Sequence, residues 1–267
     1  MPATPRVSAW SAAAAARTVT TPDIPVAWRS VSASRGYTMG MFLRRGPAPH
    51  RAMLSDLEIG QTIKLKLNGT PWDWLVVHQG LPSDIYDASC NGTWLLLKNI
   101  YELRQWHSSN VNKLESSTIH SYLNGDFQNR FDSNIKDAIK QVKIPYRKNG
   151  GSGGTNQSGA NGLLTKSFLL SGYEVGFTTS DSQNFPQDGA KLDYFTASSG
   201  GNSKRIANFN GSAADWWLRS PSAGGTSYVF GVYSDGDYFS DRASDSDGIR
   251  PAIILPSDML VTDDMLA

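Results

Sequence analysis

The sequence predicts an α+β domain: two helices packed on a set of short, twisted antiparallel strands, with long loops. Three observations carry this. Apolar residues alternate with period two over 63–67, and they recur near a helical period over 119–142. Beyond residue 163 the chain returns to short apolar runs bounded by Gly, Pro, Ser and Asp, without the strand–helix alternation of a parallel sheet. The composition agrees, since 25 Gly and 8 Trp with only 18% charged residues suit a loop-rich globular chain rather than a helical bundle.

Taken in order, residues 1–52 stand apart. They hold seven Arg, no Lys and one acid, Asp23, and show no lasting apolar period. Three readings are open: an Arg-rich targeting peptide, a disordered tether, or upstream sequence ahead of a start at Met53. Tether or spurious extension is preferred, so function is sought in the domain assigned to 53–256, with 257–267 as a C-terminal tail.

Within that domain GQTIKLKLNGTPWDWLVVHQG reads as a hairpin. Ile63, Leu65 and Leu67 alternate, Asn68-Gly69 makes the turn, and Trp74 to Val77 resume the strand. NGTWLLLKNI reads as a buried strand. Ser116, Ser117 and Thr118 offer N-caps to a helix over 119–124, which Asn124-Gly125 ends. A second helix is expected from the spacing of Phe127, Phe131, Ile135, Ala138, Ile139 and Val142, stopped by Pro145. Residues 149–162 carry six glycines and read as a flexible loop. SFLLSGYEVG reads as a strand and turn, and 180–211 as long surface loops.

Several chemistries are excluded. The formal net charge is +1, and from Met53 onward 18 basic residues face 23 acidic ones, so no nucleic-acid partner is expected. No run of 18 apolar residues exists, and no membrane insertion is expected. Gly150-Gly151-Ser152-Gly153-Gly154 matches a hydrolase elbow by letter, but TNQSGANG after it cannot form the required helix. The same loop lacks the Gly-Lys-Ser/Thr ending of a phosphate cradle. The histidines at 50, 78, 107 and 120 show no metal-ligand spacing; His78 and His120 read as surface or satisfied core residues. Asp245, Asp247 and Gly248 imitate part of a calcium loop, yet its first and last positions fall on Ala243 and Ile254. No catalytic residues, metal or cofactor are expected, and the protein is read as a non-enzyme.

The most distinctive block is SAADWWLRSPS, then a Tyr/Ser/Asp/Gly-rich stretch over 222–248, then GIRPAIIL. Trp216 and Trp217 are large and rigid and must face opposite sides of a strand, so at least one anchors the core. Arg219 and Arg250 read as structural arginines whose forks tie loops through carbonyl or carboxylate contacts. These four residues form a clamp around the stretch.

The pair DWWLRSP and GIRPA resembles the C-terminal region of C-type-lectin-fold proteins of gut bacteria and their phages. That group includes the variable proteins of diversity-generating retroelements. WDWLVV, TWLLLKNIYELRQW, SYLNGDFQNRF and FLLSGYEVG resemble the same group, so the likeness spans about 53–256. It implies a C-type-lectin-like fold and a binding surface varied by replacing adenines, chiefly in AAC codons. Such variation cannot yield Lys, Glu, Gln, Met or Trp, and residues 222–248 contain none of the five. Residues 53–210 hold fifteen Asn and residues 211–267 none, as expected where Asn codons have been rewritten.

The resemblance and the loop composition together predict a ligand-binding face. Ser227, Tyr228, Phe230, Tyr233, Asp237, Tyr238, Phe239, Ser240, Asp241, Arg242, Ser244 and Asp245 are expected to project mostly to solvent on one surface. Val229, Val232, Gly236, Ala243 and Gly248 are expected to be the fixed framework. Tyr with Ser, Gly and Asp combines rigid contact area with adaptable polar groups, as antibody loops do. Tyr228, Tyr233, Tyr238 and Arg242 are the expected anchors. The expected partner is a protein or glycan receptor on a cell surface, with display on a phage tail or a bacterial surface; no recognisable signal peptide precedes the domain, which favours the virion. Two rivals share the broad fold. A calcium-dependent sugar lectin would need Glu-Pro-Asn or Trp-Asn-Asp type signatures, which are absent. Formylglycine-generating enzymes depend on a copper-binding cysteine pair, and this chain has only Cys90, in the turn-like ASCNG.

Overall fold

The computed structural model describes residues 52–195 and 202–266. The N-terminal extension, Ala52 apart, therefore lies outside the described residues. The domain is α+β, with mostly strands and, among the described residues, three short helices.

Strands β1 (Thr62–Leu67) and β2 (Thr70–Gly80) form the expected hairpin, Leu67 opposite Thr70. Asn68 and Gly69 both have positive φ, 51° and 75°, as a two-residue type I′ turn demands. β3 (Gly92–Leu97) is buried along its whole length and lies next to β2. The chain then crosses through 98–101 into β4 (Glu102–Gln105), which belongs to a second sheet.

Helix α1 (Thr118–Asn124) begins where expected: Ser117 Oγ accepts the His120 amide at 3.1 Å. The second expected helix does not run through. A 3-10 turn covers Gln128–Arg130, Phe131 goes extended to bridge Leu67 on β1, and α2 is confined to Ser133–Ala138. Val142, expected on that helix, instead opens β5 (Val142–Ile144). The apolar spacing marked burial correctly, since Phe127, Phe131, Ile135, Ile139 and Val142 are all buried. Pairing with β1 overrode the helical period.

The glycine-rich segment is not a free loop either. β6 (Tyr146–Lys148) pairs with β7 (Thr155–Gln157), and β5 pairs with β8 (Leu163–Thr165). β9 is only Ser167–Phe168. Between it and β10 (Ala207–Phe209) the described residues are loops, but Val175, Phe177, Phe185, Leu192 and Phe195 reach inward and are buried. β11 (Ser212–Ala214) closes a small hairpin on β10 through Asn210-Gly211, again with both φ positive.

The last block supplies β12 (Trp216–Pro221), β13 (Tyr228–Val232), β14 (Tyr238–Arg242), β15 (Ser246–Ile249) and β16 (Ala252–Leu255). One sheet runs β1-β2-β3-β16-β9 and the other β14-β13-β12-β15-β4. Arg250-Pro251 carries the chain directly from β15 in one sheet to β16 in the other. DWWLRS and GIRPAIIL are thus neighbours at one point, Trp216 opposite Gly248 in a parallel pair, before the second leaves for the other sheet.

The central strands β3, β12 and β16 are covered on both faces, because alternate residues feed two different core clusters. Trp74, Val76, Leu95, Leu97, Trp217 and Ile253 enter one; Leu75, Val77, Trp94, Leu96, Trp216 and Ile254 enter the other. Residues 257–266 are not a loose tail. Leu54 donates to the Met259 carbonyl, Val261 to that of Ala52, and helix α3 (Asp263–Leu266) buries Met265.

Candidate functional site

The 222–248 stretch folds as the β13–β14 hairpin, held at the edge of its sheet by β12, and ends in the first residues of β15 on the other side of β12. Tyr228 stands opposite Arg242, Phe230 opposite Ser240, and Val232 opposite Tyr238. These pairs share one face of the hairpin; Val229, Gly231, Phe239 and Asp241 point to the other. The predicted set therefore divides between two faces and meets solvent around the free edge of β14, rather than on one face.

Exposure sorts the predicted residues further. Tyr228, Tyr233, Ser240, Asp241, Arg242 and Asp245 are exposed, while Ser227, Asp237, Tyr238 and Ser244 are half-buried. Phe230 and Phe239 are core residues, at 2% and 7% exposure, and the expectation that they project outward is corrected. Phe230 stacks on Phe185 with centroids 3.8 Å apart. Phe239 lies against Trp217 at 5.6 Å and Tyr233 at 4.9 Å. Tyr238 also loses its place as a free anchor: its hydroxyl donates to the Asp181 carbonyl at 2.8 Å.

The framework positions are buried: Val229, Val232, Gly236, Ala243 and Gly248. Gly236 has φ +88°, and a Cβ there would sit 2.2 Å from the Asn202 carbonyl oxygen. At Gly248 a Cβ would meet the Asp215 carbonyl at 2.6 Å. No larger residue fits either place without moving backbone.

Three supports were not legible in the sequence. Buried Asn112 donates to the carbonyls of Tyr228 (2.8 Å) and Gly225 (3.1 Å) and accepts the Gly151 amide at 2.9 Å. Gly151 in turn packs so closely that a Cβ would lie 2.4 Å from the Gly225 carbonyl, so the glycine-rich hairpin braces the base of the candidate face. Arg205, also buried, donates to the Gly236 carbonyl at 2.6 Å and lies over the Phe177 ring at 3.8 Å. The one available signal was the run of glycines, which marks close backbone approach as readily as flexibility.

The clamp is fully interior. The Trp216 and Trp217 indoles donate to the carbonyls of Arg205 and Arg104, each at 3.0 Å, from opposite faces of β12. Arg219 spends its whole fork: on the Glu174 carboxylate (2.7 Å to Oε1), and on the carbonyls of Asp188, Leu169 and Pro145. Tyr86 donates to the same Glu174 oxygen, and burial followed by the Glu174 charge pushes its own pKa well up. Arg250 donates to the Leu97 carbonyl at 2.8 Å and lies over the Trp216 ring; burial lowers its pKa to about 10.

Asp188 completes this buried network, accepting from Ser220 Oγ at 2.8 Å. Burial raises its pKa to about 7, against the opposing pull of Arg219. The folded value lies above the unfolded one, so its contribution is complete below about pH 4 and lost as pH rises through about 7. Between pH 5 and 8 that amounts to about 3 kcal/mol. Urea unfolding at both pH values should show the loss, and Asp188→Asn should remove it. An identical slope in both proteins would disprove the assignment.

Acids also gather beside the hairpin. Burial, then the charges of Asp215, Asp241 and Asp245, raises Asp247 to about 6. Among the described residues no three His, Cys, Asp or Glu side chains are placed to hold a metal ion. Cys90 is buried, and burial pushes its thiol up to about 12, so it is a packing residue. His78, buried at the end of β2, contacts Asp193 at 2.7 Å; His120, on α1, has its pKa lowered by burial.

Residues 91–257 match the model of a family described as a domain of unknown function, DUF6273. The match takes in more than half of the chain, from the edge of β3 through β16 and the whole candidate face, and the chain belongs to that family. Neither a curated protein nor a solved structure matches it.

Proposed function

We propose that this DUF6273 protein is a ligand-binding protein of C-type-lectin-like fold that presents the β13–β14 hairpin as a retroelement-diversified receptor-binding face. One observation carries the reading. Exposed Tyr228, Tyr233, Ser240, Asp241, Arg242 and Asp245 ride on a backbone whose intervening positions are buried and sterically fixed. Rigid aromatic and Arg groups on such a mount contribute contact area at small entropic cost on binding. The limited residue alphabet of 222–248 supports diversification by the route that the family resemblance implies. Under this reading the partner is a protein or glycan receptor on a cell surface, and the chain is displayed on a phage tail or a bacterial surface. It performs no reaction.

Two experiments test it. The flanking DNA should contain a reverse transcriptase gene and a near-copy of the 216–250 coding segment, with AAC codons at the differing positions. The full chain, fluorescently labelled, should bind some members of a panel of whole gut bacterial cells. The combined variant Tyr228→Ala, Tyr233→Ala, Arg242→Ala should lose at least about tenfold in that binding while its melting temperature stays nearly unchanged. Equal binding by parent and variant sinks the proposed face.

A further inference from the structure

The geometry points to a second binding site, distinct from the hairpin: we propose that the groove between Trp72, Tyr101 and Phe209 binds a neutral saccharide without calcium. The groove has a volume of about 230 Å³. That is below the roughly 300–1,000 Å³ of pockets for drug-sized ligands and suits one ring of a chain that continues outside. Its walls are aromatic. Trp72 on β2 and Tyr101, in the crossover after β3, have ring centroids 5.0 Å apart and planes tilted by 56°. Phe209, the last residue of β10, also lines the groove.

The rim comes from the β10–β11 hairpin. Ile100 donates to the Asn208 carbonyl at 3.0 Å and Asn208 to Asn99 Oδ1 at 3.3 Å, which docks that hairpin on the crossover. The side chains of Asn208 and Asn210 are exposed at the groove and have no hydrogen-bond partner among the described residues. Among the described residues nothing lies within 4 Å of a Cβ built on Gly211, at the end of this rim.

The chemistry of this lining selects its ligand. Among the described residues no charged side chain lines the groove. Arg130, which touches its Tyr101 wall, donates to the Tyr101 hydroxyl at 2.7 Å and lies over that ring, and Lys98 and Asp73 sit 3.5 Å apart as a pair. A charged ligand finds no free counter-charge in that lining. Each Asn amide both donates and accepts, which matches hydroxyl groups that do the same. Aromatic faces carry negative charge density and attract the weakly positive C–H bonds on one side of a sugar ring. Trp72 and Tyr101 pack on each other at 56° and so offer a bent apolar platform for one side of a puckered ring, whereas a flat base needs a parallel slot. None of these residues belongs to the β13–β14 hairpin, so the site stands or falls apart from the receptor-binding proposal.

The test is calorimetric titration of the full chain in EDTA with hexasaccharides of glucose, mannose, galactose and N-acetylglucosamine, with adenosine and a sialylated hexasaccharide as controls. At least one neutral hexasaccharide should bind, with a Kd on the order of 1 mM. Trp72→Ala should weaken it at least tenfold. Because Trp72 is half-buried, a second variant leaves the core untouched: Asn208→Ala with Asn210→Gly, the glycine keeping the positive φ of the turn. That variant should weaken binding equally, and Tyr228→Ala, Tyr233→Ala, Arg242→Ala should leave it unchanged. The proposal is overturned if no neutral hexasaccharide binds at about 10 mM. It is equally overturned if only a control binds, if the Asn variant binds as the parent does, or if the β13–β14 variant abolishes binding.

Discussion

Replacing Arg219 with Met should destabilise the domain by about 3–5 kcal/mol, because one half of a buried ion pair is removed and the other is left behind. Glu174 and Arg219 are both almost wholly inaccessible, and Asp188 adds a second buried carboxyl beside them. Without the guanidinium, Glu174 keeps only the Tyr86 hydroxyl and the Ser171 amide as donors, and the carbonyls of Pro145, Leu169 and Asp188 lose theirs. Arg219→Lys should be nearly as harmful, since one ammonium cannot serve contacts spread over Nε, Nη1 and Nη2. Adding Glu174→Gln to Arg219→Met should restore part of the loss by removing the stranded charge. The expected drop in melting temperature for Arg219→Met is roughly 6–20 °C for a domain of this size. A loss under about 1 kcal/mol at pH 7 would show that the network is not what holds the loops against β12.

That network also shows what the sequence could and could not disclose. Arg219 was readable as a structural arginine because it follows Trp216-Trp217 in a block too apolar for a solvated cation. Its partners were not readable: Glu174 lies 45 residues away in FLLSGYEVG and Asp188 in a loop with no period, and only the fold joins them. Asn-Gly turns were legible at 68–69 because their backbone demand is local. The same signal at 210–211 sits in a polar stretch that reads as surface loop, although it shapes the rim of the aromatic groove. Asn112 and Arg205 left no trace, since a polar residue that serves distant carbonyls has no local pattern to betray it. The helix expected over 127–142 failed for a related reason: periodicity reports which residues are buried, and several backbone paths satisfy the same burial.

The hairpin itself supplies the sharpest case. Its composition is that of an exposed loop, yet Phe230 and Phe239 on β13 and β14 point into opposite core clusters. Phe230→Ala should cost about 3–5 kcal/mol, with the loss of its stack on Phe185 and a cavity left in its place. Phe239→Ala should fall at the lower end of that range, being 7% exposed and on the edge strand β14, but it strips the packing from Trp217 and Tyr233. Tyr228→Ala and Arg242→Ala, opposite one another and exposed, should each stay within about 0.5 kcal/mol. Urea midpoints of the four variants measure the contrast directly. If the hairpin is diversified as proposed, natural copies should keep large apolar residues at 230 and 239 while 228 and 242 vary freely. A Phe230→Ala protein as stable as its parent would mean that the hairpin lifts off the core, and the rigid mount on which the receptor-binding reading depends would be gone.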